Sequence, residues 1–285
     1  MTITNKIHDL KQQIQKRLAN RNPIFILQMG RVGSNSVVAA INQAYRAVQI
    51  NVPVYHSHYI AHYERIIERA SFDLNNYHNA KRDIENIDTK NRDELFKCLK
   101  AQKPVKIISL VRDPVARNVS TFFYAFPEFV PEWKDMESQN LLSASALNAI
   151  FESKRQFIQT AFNWFDEQVK DTLGLDVYTV SFDTSRGWQV YKKGQVELLL
   201  LRMEDLYRTG EDALRRFLRL PQIEMVKVNT GEERETYELY RRFLTYPISQ
   251  EYLNMTYSTR LARHFYTDEE IEGFIQRWRN PNPAR

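Results

Sequence analysis

Ile24-Phe25-Ile26-Leu27-Gln28-Met29-Gly30-Arg31-Val32-Gly33-Ser34-Asn35-Ser36 runs from apolar residues into two glycines, an arginine and small hydroxyl and amide residues. An amphipathic pattern starts at once behind it, with Val37, Val38, Ile41, Ala44, Tyr45 and Val48. The change of period predicts a strand, a loop and a helix N-terminus. Gly30 and Gly33 permit tight backbone turns, and the first N–H groups of a helix point at whatever fills such a loop. Arg31, Ser34, Asn35 and Ser36 add donors, so the natural occupant is a phosphate or sulfate. No Gly-Lys-Ser/Thr closes the loop, so it is not a Walker sequence, and nothing nearby is built to hold magnesium. An ordinary glycine turn capped by Ser34 or Ser36 is the plainer alternative.

Outward from this loop, strands and helices alternate. Residues 52–58 read as a second strand and are followed by polar helical segments to about Lys100. Val105–Val111 is a continuous apolar strand of the buried parallel type, broken by Arg112-Asp113-Pro114, with Pro114 placed to open a helix. Residues 140 to about 170 read as helical, 176–181 and 195–202 as strands, and 212–220 as a helix. The alternation predicts an α/β fold with a central, doubly wound parallel sheet and helices on both faces. Such sheets bind ligands at the carboxyl ends of their strands, where the glycine loop and Arg112 both fall. Ahead of the loop, Ile3, Ile7, Leu10, Ile14 and Leu18 form one helical stripe. Residues 1–22 are therefore expected to be an amphipathic helix, for packing on the domain or for a dimer or membrane-surface contact, and 23–285 a single domain.

Composition bounds the chemistry. The 285 residues are 43% hydrophobic, with 8 Gly and 10 Pro, which suits a packed core. The single Cys98 excludes an internal disulfide framework and sits in a helical-looking stretch as a quiet thiol. Neither a secretory signal nor an apolar run of about 18 residues is present, so a cytoplasmic protein without an integral membrane segment is expected. A net charge of +5, from 40 basic and 35 acidic residues, suits anionic ligands. No concentrated basic block marks a nucleic-acid binder.

A second constellation follows the third strand. Arg112 leaves a buried strand end and Ser120 stands eight positions later, about two helical turns on. Arg112 can hold a phosphate bidentately while Ser120 adds a hydroxyl, or Arg112 can simply pair with Asp113. His56 and His58, two apart at a strand end, share a face. His62, His78 and His264 read as helix residues, with no metal-ligand spacing.

With the loop at residues 30–36, Arg112, Ser120 and the strand Val196–Arg202 leading into Met203-Glu204-Asp205-Leu206, the chain resembles the sulfotransferases that use 3′-phosphoadenosine 5′-phosphosulfate. His56-Ser57-His58 and residues 117–123 and 257–271 resemble, within that superfamily, the bacterial group associated with capsular polysaccharide synthesis. The resemblance implies a P-loop-like sheet of the sulfotransferase and nucleoside-kinase type. It further implies the following site. Gly30, Arg31, Gly33, Ser34, Asn35 and Ser36 bind the 5′-phosphosulfate, and Arg112 and Ser120 bind the 3′-phosphate, with Arg260 and Arg263 as guesses to complete it. Arg31 stands where many relatives have lysine, Ser36 where an aromatic residue stacks on adenine, and Met203 where a tyrosine is common. His58 is the expected base, His56 its assistant or a substrate ligand, and Glu64 the next candidate. A glycan or another hydroxyl compound is the expected acceptor, with no metal. A nucleotide-dependent kinase and a non-catalytic nucleotide- or glycan-binding relative are the competing readings.

Overall fold

The computed structural model describes residues 22–61, 89–155, 159–228 and 231–281. The stripe at residues 1–21, Glu64, His62 and His78 lie outside them. Five strands form one sheet in the order β2-β1-β3-β5-β4, with β1 Ile24–Leu27, β2 Val54–Ser57, β3 Val105–Val111, β4 Trp188–Lys193 and β5 Val196–Arg202. β2, β1, β3 and β5 run parallel, and β4 pairs antiparallel with β5 at the edge. The chain moves from β1 outward to β2, then crosses back to place β3 on β1's other side. β1 and β3 therefore flank the point where the winding reverses, which in such sheets opens a crevice at the carboxyl ends.

The β1 and β3 side chains are almost wholly buried, as expected for strands covered on both faces. Helix α1, Ser34–Ala47, turns Val37, Ala40, Ile41, Ala44 and Tyr45 into the core. Helix α2 covers Thr89–Lys100. Helix α3, Pro114–Tyr124, starts at an Asp113 N-cap whose carboxylate accepts from the Val115 N–H, with proline in the first turn. It buries Val115, Val119, Phe122 and Phe123. Phe122 is the hub of an aromatic cluster with Phe126, Phe129, Phe151 and Phe243, at centroid distances of 5.3 to 6.4 Å.

Two expected elements are corrected. The 140–170 segment is not one helix: helix α4 spans only Ala144–Ser153, followed by a 3-10 turn at Gln159–Asn163 and a π-turn at Phe165–Lys170. The widened π-turn contains the buried Gln168, whose side-chain oxygen accepts from the N–H groups of Ile60 and Ala61 at 2.7 and 2.9 Å. Nor is 176–181 a strand. Asp176 caps a 3-10 turn through the Tyr178 N–H, and the edge strand is β4, which alternates too weakly to stand out in the sequence. The chain ends in helices α5 Gly210–Leu218, α6 Tyr237–Phe243, α7 Gln250–Tyr257, α8 Arg260–Phe265 and α9 Asp268–Arg279. Among the described residues no helix is long and apolar enough to cross a membrane.

Because Phe122 is fully buried at the centre of its cluster, Phe122→Ala is expected to lower unfolding stability by about 3–5 kcal/mol. Tyr246→Ala, at an exposed ring, should stay within about 0.5 kcal/mol. Urea melts of both variants check the contrast, and a small Phe122 effect would contradict the packing.

Candidate active site

β1 ends against a backbone that turns left-handed three times, at Gly30 (φ +79°), Arg31 (φ +62°) and Gly33 (φ +81°). At Gly30 and Gly33 glycine meets this demand at no cost, whereas Arg31 is strained and must be held by its surroundings. Arg112 donates to the Arg31 carbonyl at 3.1 Å, and the Arg31 side chain donates to the Ser120 hydroxyl at 3.3 Å. The Arg31 guanidinium also lies 4.7 Å from the centre of the Tyr124 ring. Arg117, buried on α3, donates to the Met29 carbonyl at 3.0 Å. The two motifs, far apart in the sequence, thus meet as one structure across β1 and β3.

Gly33 caps α1 without a side chain, and neither a capping hydroxyl nor an acidic residue occupies the first turn. The plainer alternative of a turn capped by Ser34 or Ser36 is therefore not what forms. Ser36 instead accepts from the Val228 N–H and the Tyr207 hydroxyl, at 3.4 and 3.5 Å, and so ties the loop to the segments on either side of α5. The positive end of the α1 dipole is left open to a cavity of about 870 Å³.

Gly30, Arg31, Gly33, Ser34, Asn35, Ser36, His56, His58, Arg112 and Ser120 all line that cavity. Arg117, Lys227 and Arg234 line it as well. Among the described residues no carboxylate forms an ion pair with Arg31, Arg112, Lys227 or Arg234. Burial, and then the neighbouring charges of Arg234, Arg112 and Arg117, lower Arg31 to about 10. Arg234 shifts down for the same reasons, burial first and then Arg112. Asp113, the alternative partner for Arg112, is committed elsewhere: it accepts from the Tyr257 hydroxyl, Arg277 and the Trp278 indole.

Arg260 and Arg263 are corrected. Arg260 stacks on Tyr178 at 4.0 Å and faces Asp166 and Asp176, while Arg263 pairs with Asp268, and neither lines the cavity. Lys227 and Arg234 were missed because they sit in an aperiodic polar stretch. Gln28 did carry a signal, as a polar residue ending an apolar run.

The histidines stand beside the loop. β2 stops at Ser57, so His56 lies on the strand and His58 just past it, with ring centres 5.4 Å apart. The His58 backbone is clamped from outside: the Trp164 indole donates to its carbonyl at 2.9 Å, and Gln168 holds the N–H groups of Ile60 and Ala61. The buried Gln28 side-chain amide contacts both rings, reaching His56 Nε2 at 3.1 Å and His58 Nδ1 at 2.7 Å. Burial, and then the other ring, lowers His56 to about 4. His58 is also lowered, by burial first and further by Arg117 and Arg31, against a raising contact with the Gln28 carbonyl. His264 lies apart, packed on Tyr178 and Phe265. Among the described residues no group of three His, Cys, Asp or Glu side chains has metal-holding geometry.

Residues 139–267 match a family model, NKWYS, described as "Putative capsular polysaccharide synthesis protein". The matched segment contains β4, β5 and the cavity residues Met203, Tyr207, Lys227 and Arg234, but not the glycine loop, the histidine pair or Arg112. No curated protein and no solved structure gives a significant match to the chain.

A histidine neutral in the fold but chargeable when unfolded makes the unfolded state bind more protons below its ordinary pKa of about 6.5. Stability is therefore expected to fall as the pH drops from about 6.5 toward the His56 value of about 4. His56→Gln should shrink the difference between urea melts at pH 7 and pH 5. An undiminished difference would mean that His56 carries no such penalty.

Proposed function

We propose that the protein transfers a sulfuryl group from 3′-phosphoadenosine 5′-phosphosulfate to a hydroxyl of a glycan. The observation that carries this reading is the convergence of the loop at residues 30–36 with Arg112 and Ser120 in one cavity, with no carboxylate paired to Arg31 or Arg112 among the described residues. Like-charged groups held together in a partly buried space favour a ligand of high negative charge, and a nucleotide bearing both a 3′-phosphate and a 5′-phosphosulfate is one. The capsular polysaccharide description of the family matching residues 139–267 supports a carbohydrate acceptor. The sheet order and its reversal between β1 and β3 support a P-loop-like fold of the sulfotransferase type.

In this reading the 5′-phosphosulfate sits on the loop amides and the α1 N-terminus, and Arg31 steadies its oxygens. Arg112 and Ser120, with Lys227 and Arg234 from the segment after α5, face the 3′-phosphate and the rest of the nucleotide. The acceptor oxygen attacks sulfur in line and the hydroxyl gives up its proton to a basic side chain of the cavity, which His56, His58, Glu232 and Glu233 all line. The bond between sulfur and the bridging oxygen breaks, and 3′-phosphoadenosine 5′-phosphate leaves. As in phosphoryl transfer, the protein's work is positioning and charge stabilisation. Arginine at position 31 supplies a fixed positive fork and keeps its proton throughout. A kinase reading is less well served, since the loop lacks the lysine and the magnesium-binding hydroxyl at Walker spacing.

Transfer of labelled sulfate from the nucleotide to a panel of polysaccharides tests the reaction directly. Arg112→Ala provides the sharper test of the site. It should weaken 3′-phosphoadenosine 5′-phosphate by about 1.5–3 kcal/mol, measured calorimetrically with a chelator present, and adenosine 5′-phosphate much less. Equal losses for both nucleotides would limit Arg112 to holding the Arg31 carbonyl.

A further inference from the structure

Gln28 is fully buried at the end of β1, between the glycine loop and the histidine pair. The Gly30 N–H points at one end of its side-chain amide, and an N–H can only donate, so that end is the carbonyl oxygen. The other end is therefore the NH₂ group, which has two protons to place. Two ring nitrogens lie within reach, His58 Nδ1 at 2.7 Å and His56 Nε2 at 3.1 Å. Each can receive one of those protons only through its lone pair.

His58 Nδ1 has a second neighbour, the Gln28 main-chain carbonyl at 3.2 Å, to which it could donate if it were protonated. The two arrangements exclude one another, because a proton on Nδ1 would face the protons of the amide 2.7 Å away. The amide contact is the shorter one, and its direction is fixed from outside by Gly30. The main chain that carries the ring is held in place, since Trp164 bonds the His58 carbonyl and Gln168 the N–H groups just beyond it.

We infer that Gln28 is a positioning residue that sets the tautomers of the pair, leaving His58 neutral with its proton on Nε2 and His56 neutral with its proton on Nδ1. His58, which lines the cavity, then carries a hydrogen-bond donor at Nε2, not a lone pair. The charges around it agree with a neutral ring: Arg31 and Arg117 both oppose a second proton, and His56 is the adjoining imidazole. The chemical consequence rests on the sulfuryl-transfer reading, although the tautomer itself does not. In that reaction His58 Nε2–H donates to an oxygen of the transferring group or of the acceptor, in the manner of an oxyanion donor. The acceptor's proton must leave to a different group, and Glu232 and Glu233 are carboxylates lining the same cavity.

The test is long-range ¹H–¹⁵N correlation on protein labelled with ¹⁵N-histidine, near pH 7 and without ligand. The expected spectrum shows His58 carrying its proton on Nε2 with an unprotonated Nδ1, and His56 the reverse. A His58 protonated on Nδ1 would overturn the inference and restore it as a base. Gln28→Glu supplies a second readout, because a carboxylate accepts where the amide donates. It should move the His58 proton to Nδ1 and raise the His58 pKa by about 1–3 units. An unchanged tautomer in this variant would mean that Gln28 does not set it. Failure of sulfate transfer with the expected tautomers in place would count against the reaction and leave the tautomer assignment standing.

Discussion

Several cations of one sign face a single cavity, and the carboxylates near the strand ends are turned away from it. Arg31 and Arg112 come from the loop after β1 and the end of β3, while Lys227 and Arg234 come from the chain after α5. Concentrating such charge is unfavourable unless something opposes it; burial first, and the neighbouring arginines after it, lower both Arg31 and Arg234. Asp113 could have neutralised Arg112, but it caps α3 and accepts from Tyr257, Arg277 and Trp278. Glu204 accepts from the Asp113 N–H and the Tyr266 hydroxyl, and burial raises its pKa. Asp205 is taken by Arg202 and Arg208. The C-terminal helices therefore act electrostatically as well as by packing, because the acidic groups they occupy are kept from neutralising the cavity.

This arrangement gives the Met203-Glu204-Asp205-Leu206 segment a physical meaning. Glu204 accepts from the Tyr266 hydroxyl just past α8, and Arg202, buried between Asp205 and Glu270, ties the end of β5 to the Phe265 carbonyl of α8 and to α9. Met203 lies beside Gly33, its side-chain carbon and sulfur atoms 3.4 to 3.5 Å from where a Cβ would stand, so the thioether packs on the anion loop. Across the sheet, Trp164 and Gln168 do the corresponding work for the histidines by fixing the chain just past β2.

What was legible in the sequence was whatever depends on local pattern. The change of period across residues 24–36 located β1, the loop and α1, and Asp113-Pro114 located the start of α3. Less legible was whatever depends on partners distant in the chain. β4 exists as a strand only by pairing with β5, and the π-turn brings Gln168 to backbone donors more than a hundred residues away. Arg260 and Arg112 are both arginines near helix starts. Only tertiary contacts show that one stacks on Tyr178 and faces two aspartates while the other enters the cavity. The histidine pair was visible as a spacing of two, but the atom that governs its chemistry is the amide of Gln28.

In the proposed reaction, the uncapped α1 N-terminus and the left-handed turns at Gly30, Arg31 and Gly33 form the seat of the phosphosulfate. A crystal structure of the protein with 3′-phosphoadenosine 5′-phosphate measures this most directly. The 5′-phosphate is expected on the main-chain N–H groups of the loop and of the first turn of α1, with the 3′-phosphate against Arg112 and Ser120. A 5′-phosphate bound away from the α1 N-terminus, or a 3′-phosphate facing solvent with Arg112 still turned to the Arg31 carbonyl alone, would contradict it.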